Sequence, residues 1–161
     1  MVAVNSADGL AVEMPSDTQV LIRIELAIPR EVAYTVWTTP ELIRKWWGAG
    51  LGEVRSIEAD LRVGGAWRYV IFANDSLWGF HGEYLEVVPN ERLLTTEIFE
   101  NQPEAAIIKK VTFTEKDGRT VLETLVQHTS KEFRDAQIDP HWQQGLKDLR
   151  HHLEQAAASV G

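Results

Sequence analysis

Two histidines and a few buried-strand acids are the residues of this chain whose types and spacing could do chemistry. His81 and Glu83 fall two apart in an alternating stretch, so they share one face of a strand, and His128 closes the last strand-like segment. Brought together, the three would form a His–Glu–His cluster able to hold a divalent metal or move a proton. The pattern is sparse and has no helical His-x-x-x-His spacing behind it. No metal is therefore expected, and His81 and His128 stand only as catalytic candidates. Glu97 and Glu123 lie inside apolar strand segments, where one of them could face an interior and serve as a base or a polar anchor. The competing reading is the solvated face of an antiparallel sheet. His151-His152 falls on the polar side of a helix. Gly48-Ala49-Gly50-Leu51-Gly52 has neither the spacing nor the preceding strand of a phosphate-binding loop. The chain has no cysteine, no Gly-x-Ser-x-Gly elbow and no nucleophile–base–orienter set, so the sequence does not announce an enzyme and implies no cofactor.

Large apolar side chains are the stronger signal. Trp67, Tyr69 and Ile71 share one strand face; Phe80 and Tyr84 share another, and Phe99 ends a third strand. Trp46-Trp47 closes a short helix, where adjacent residues diverge by about 100°, so at most one packs inward and the other sits at a rim. Trp142 opens a helical apolar stripe that continues through Leu146, Leu149, Leu153 and Ala156. Each residue alone reads as ordinary core. Together they would equally well line a cavity.

The elements that hold them follow from periodicity. Residues 18–28 alternate, with Val20, Ile22, Ile24, Leu26 and Ile28 on one side, which predicts a half-buried strand. Pro29 opens a helix over 30–37 with Val32, Ala33, Val36 and Trp37 inward, and Thr39-Pro40-Glu41 starts a second over 42–47. Strands are expected at 53–61, 66–73, 77–88, 92–99, 106–114 and 119–129. Gly64-Gly65, Asn74-Asp75-Ser76, Pro89-Asn90-Glu91 and Lys116-Asp117-Gly118 supply turns between them. Residues 130–138 are polar and ambiguous. Asp139-Pro140 then caps a final helix reaching about residue 158. A helix of that length needs a wide apolar partner, which a curved antiparallel sheet provides. The expected class is α+β: a curved antiparallel sheet wrapped on a long C-terminal helix, with two short helices after the first strand. Residues 1–16 are expected to be a loose tail, or a short strand at most, and 17–158 a single domain.

Composition narrows the partners. A length of 161 residues suits one core, and the formal charge of −8, without any basic stripe, argues against nucleic acid and anionic membrane. No run approaches the roughly 18 apolar residues of a membrane span, and the N-terminus lacks the basic and apolar regions of a secretory signal. A cytoplasmic protein is the expectation, and in that setting Asn74-Asp75-Ser76 is a turn rather than a glycan site.

Five motifs in order carry a resemblance: Ile28-Pro29-Arg30-Glu31-Val32-Ala33, Trp46-Trp47-Gly48, Val63-Gly64-Gly65-Ala66-Trp67, Gly82-Glu83-Tyr84-Leu85-Glu86-Val87 and Glu91-Arg92-Leu93-Leu94-Thr95-Thr96. Over about residues 18–157 the chain resembles proteins similar to the C-terminal domain of the activator of the 90-kDa heat-shock-protein ATPase, within the START, polyketide-cyclase and Bet-v-1-like superfamily. The resemblance implies a helix-grip fold with a cavity between sheet and helix. It implies no shared chemistry, since members bind apolar ligands, contact protein partners or, in a few cases, catalyse.

Three expectations result. The first is an apolar or amphipathic small molecule held in that cavity by Trp46, Trp67, Tyr69, Phe80, Tyr84, Phe99, Trp142 and Leu146. The second is a co-chaperone-like role on a heat-shock-protein ATPase, although the separate N-terminal domain of a full activator is not expected in this chain. The third is a cyclase- or hydrolase-type enzyme using His81, His128 or a cavity carboxylate. A monomer or an edge-to-edge dimer fits each. A slip of one residue in strand register would turn every lining residue to the opposite face.

Overall fold

The computed structural model describes residues 4–6, 9–48 and 50–160. Ala49 and part of the expected N-terminal tail (residues 1–3 and 7–8) lie outside them. Among the described residues, nine strands form one antiparallel sheet: β1 Val4–Ser6, β2 Leu10–Glu13, β3 Gln19–Leu26, β4 Glu53–Ala59, β5 Ala66–Ala73, β6 Ser76–Val88, β7 Arg92–Phe99, β8 Ile107–Lys116 and β9 Arg119–Gln127. Their order is β1-β2-β3-β9-β8-β7-β6-β5-β4. Helices α1 Arg30–Thr38 and α2 Pro40–Trp46 cross from β3 to β4, and α3 Lys131–Gln137 and α4 Pro140–Ala157 follow β9. This is the α+β helix-grip arrangement, its long last helix lying against the sheet.

The turns are built from the residues that tolerate left-handed backbone. Asn74 and Asp75 take φ of 52° and 60° between β5 and β6, and Asp117 and Gly118 take 55° and 76° between β8 and β9. Two successive positive φ values match the right-handed twist of the flanking strands and make tight hairpins. The sheet then bends where its register shifts, between Val54 and Ser56 in β4 and between Tyr84 and Glu86 in β6. Each extra residue sharpens the local twist and lets the long β6 curl.

Alternation decides the faces. Val20, Ile22, Ile24 and Leu26 of β3 are buried, and they pair with β9, where Leu122, Thr124 and Val126 are buried too. The helix ends follow their caps: Asp139 accepts a hydrogen bond from Trp142 N at 2.7 Å, and Ser130 accepts one from Phe133 N at 3.1 Å. Thr39 precedes Pro40 in extended backbone, but its side chain makes no cap bond. The last helix divides along its length. Leu153 and Ala156 are fully buried, whereas Trp142 and Leu149 are only half-buried. Glu154 Oε2 fastens the C-terminal half by accepting from Ala27 N at 2.8 Å.

Several expectations need correction. Of the two alternatives for the N-terminal stretch, Leu10–Glu13 takes the short strand: it pairs with β3 and buries Leu10 and Val12, because the edge of β3 offers unpaired backbone and an apolar flank. The two short helices therefore follow the third strand. The ambiguous 130–138 stretch is helix α3, started by the Ser130 cap. On α1 the fully buried residues are Ala33, Tyr34, Val36 and Thr38, while Val32 and Trp37 are half-buried. Thr38 is accommodated by returning its hydroxyl to Tyr34 O at 2.7 Å.

Candidate functional site

Between the concave face of the sheet and the N-terminal half of α4 lies a cavity of about 810 Å³. Trp67 and Tyr69 of β5, Phe80 and Tyr84 of β6, and Thr95, Glu97 and Phe99 of β7 form its floor; Trp142, Leu146 and Leu149 of α4 its roof. Trp37 and Trp46 of α1 and α2, with Trp47 just after α2, close one side, and Thr124, Val126 and His128 another. A smaller hollow of about 390 Å³ adjoins it and shares Trp47, Phe80, Glu97, Phe99 and Lys109 as wall. Gly145 of α4 also lines it, and a Cβ there would meet nothing within 4 Å.

The aromatic residues form a connected lining. Trp47 stands edge-on to Tyr69, with centroids 5.2 Å apart, and to Phe80 at 5.5 Å. Phe80 stacks on Phe99 at 4.9 Å, and Trp37 stacks on Trp46 at 4.4 Å. Two of the wall indole N–H groups are occupied by backbone: Trp46 donates to Val36 O at 2.9 Å and Trp67 to Thr96 O at 3.2 Å. With those polar edges satisfied, the ring faces are left for apolar contact.

Polar side chains interrupt this surface on the sheet, at Thr95, Glu97, Lys109 and Thr124, and along α3 and α4, at Gln137, Asp139, Asp148 and His152 among others. Glu97 and Lys109 are diagonal neighbours on β7 and β8, with Nζ 3.0 Å from Oε1. Burial pushes the Tyr84 phenol up to about 12 and the Tyr69 phenol well above its usual value, so both remain neutral donors near neutral pH. His128 is buried, with Nε2 hydrogen-bonded to Gln137 Oε1; its Nδ1 has no partner among the described residues. The Gln137 contact anchors α3 against the end of β9.

All eight residues expected to line a cavity are on its wall: Trp46, Trp67, Tyr69, Phe80, Tyr84, Phe99, Trp142 and Leu146. The His–Glu–His cluster does not form. His128 faces the cavity, whereas His81 projects from the opposite face of the sheet, with Nδ1 2.8 Å from Glu100 Oε2. Strand alternation is the reason, since Phe80 and Tyr84 take the inward positions. Among the described residues, no group of three or more His, Asp or Glu is placed to hold a metal. Of the two strand acids, Glu97 lines the cavity and Glu123 pairs on the outer face with Arg23 Nη2 at 3.0 Å. Lys109 was not foreseen, although the alternation of Ile107, Lys109, Val111 and Phe113 marks it as an inward lysine. Trp37, expected on the inward face of α1, and Trp47, one of the pair of which one was expected at a rim, also belong to the wall.

A curved sheet gripping a C-terminal helix over a hollow defines the helix-grip class. Within it, the chain belongs to the activator of Hsp90 ATPase homolog 1-like family, whose model matches residues 27–158. Among curated protein sequences there is no match. The fold is similar to that of a crystal structure from Rhodobacter sphaeroides, at 20% identity and TM-score 0.85, covering 93% of this chain and 99% of that one. It is also similar to one from Mycobacterium smegmatis, at 20% identity and TM-score 0.77, covering 96% of each chain. A protein from Chromobacterium violaceum shares 28% identity at TM-score 0.67, over 88% of this chain and 99% of that one. None of the described helices is long and apolar enough to cross a membrane.

Proposed function

We propose that this protein binds one apolar or amphipathic small molecule in the cavity between its sheet and α4. The observation that carries the reading is a hollow of about 810 Å³ whose wall is mostly apolar and rich in aromatic rings, with polar groups on its floor and along α3 and α4. Sites for drug-sized ligands have this size and this composition. A chain that only needed a core would fill such a space, because an unfilled apolar void forfeits contact energy. The ligand enters past Trp47 and the exposed Leu51, at the end of α2. Native mass spectrometry of gently purified protein, compared with its denatured mass, tests the reading. The expected result is a discrete excess of a few hundred daltons that disappears on unfolding. A bare mass, together with no thermal shift across a diverse panel of apolar compounds, overturns it.

The family match favours a second reading, a stimulator of a heat-shock-protein ATPase. Its test is the ATPase rate of the 90-kDa chaperone from the same cell with and without this protein; an unchanged rate removes it. For a cyclase- or hydrolase-type activity, His128 is the one of the two candidate histidines that lines the cavity, since His81 lies outside it.

A further inference from the structure

The cavity floor carries one feature that an apolar ligand does not require. Glu97 and Lys109 form an ion pair inside an aromatic wall, with side chains only 22% and 27% exposed, and both line the main cavity and its smaller neighbour. Phe80 and Phe99 stand beside them on the same wall. Lys109 Nζ spends one hydrogen on Glu97 Oε1; its other two, and the second carboxylate oxygen, have no hydrogen-bond partner among the described residues. The pair therefore presents a donor and an acceptor side by side, with no net charge.

We infer that this pair seats the uncharged polar end of an amphipathic ligand, a hydroxyl or amide that donates to Glu97 and accepts from Lys109. The inference rests on the small-molecule reading above and names the ligand's class within it. A charged head group fits poorly from either side. A carboxylate would meet Glu97 on the floor and, nearer the surface on the α4 side, Asp139 and Asp148. An ammonium would displace Lys109 from its partner and leave a poorly hydrated cation uncompensated. A neutral group with both hydrogen-bonding functions uses the open valences without breaking the pair. An all-apolar ligand would leave them unmet.

The test is a matched fluorescent series: pyrene, pyrenemethanol, pyrenecarboxylate and pyrenemethylammonium, titrated at neutral pH and low salt and read by energy transfer from the wall tryptophans. Pyrenemethanol is expected to bind about tenfold more tightly than each of the other three, the difference one net hydrogen bond makes. In a Glu97→Leu, Lys109→Met double variant, pyrene should still bind, which establishes an intact cavity, and the preference for the alcohol should vanish. Tighter binding of either charged probe, or an alcohol preference that survives in the double variant, overturns the inference. Pyrene binding with no preference for the alcohol in the wild type removes the seat and leaves the cavity reading standing. No binding by any of the four removes both.

Discussion

His81 Nδ1 lies 2.8 Å from Glu100 Oε2 on the face of the sheet turned away from α4. Arg68 reaches the same carboxylate with two bonds of 2.9 Å, one to each oxygen. A histidine that looked like a catalytic candidate is thus one member of an outer-face cluster across β5, β6 and the end of β7.

That cluster makes stability depend on acid. Hydrogen bonding from Arg68, then from His81, holds the Glu100 carboxyl down at about 2, below its ordinary value of 4.5. A depressed folded pKa contributes stability above the ordinary value and loses it as pH falls through the folded one. Glu100→Gln should cost roughly 0.5–1 kcal/mol at pH 7, the scale of a partly exposed charge network. The gap from wild type should close between pH 4.5 and about 2. Urea midpoints measured across that range decide it; a gap that stays constant would show that Glu100 is not the titrating group.

Two glycines of β6 should respond differently to the same methyl group. A Cβ at Gly82 would overlap the Thr96 carbonyl oxygen, which is backbone of the paired strand and cannot step aside. At Gly79 it would overlap the Glu100 carboxylate, the free end of a flexible side chain. Gly82→Ala should therefore destabilise by about 3 kcal/mol and Gly79→Ala by about 1, with the latter also abolishing the acid dependence described above. Denaturation curves for the two variants would expose an error if their order were reversed.

The adjacent tryptophans at the end of α2 should separate stability from binding. Trp46 is 8% exposed, stacks on Trp37 and donates to Val36 O, so Trp46→Ala should cost about 3–5 kcal/mol. Trp47 is half-buried and touches Tyr69 and Phe80 at the cavity side, so Trp47→Ala should cost only about 1–2 kcal/mol. Its larger effect should be on ligand off-rate, seen by stopped-flow fluorescence with pyrene. An unchanged off-rate would mean that Trp47 is core packing and no gate.

Much of this molecule is local in origin. The hairpins at Asn74-Asp75 and Asp117-Gly118 follow from residues that accept positive φ, and the start of α4 follows from Asp139-Pro140. Alternation within β5 and β6 was legible and kept Trp67 with Tyr69 and Phe80 with Tyr84, four of the eight wall residues, although it did not say which face of either strand would be inward. What the sequence alone did not determine depends on pairing between distant segments. Leu10–Glu13 is a strand only because β3 leaves an edge for it. Glu97 and Glu123 look alike in sequence, yet the registers of β7 and β9 send one to Lys109 in the cavity and the other to Arg23 outside. His81 and His128 part for the same reason. Alternation is a property of each strand and can be read one residue at a time; which face becomes the interior, and whether α4 lies down tightly or spans a hollow, is settled only when sheet curvature and helix packing meet.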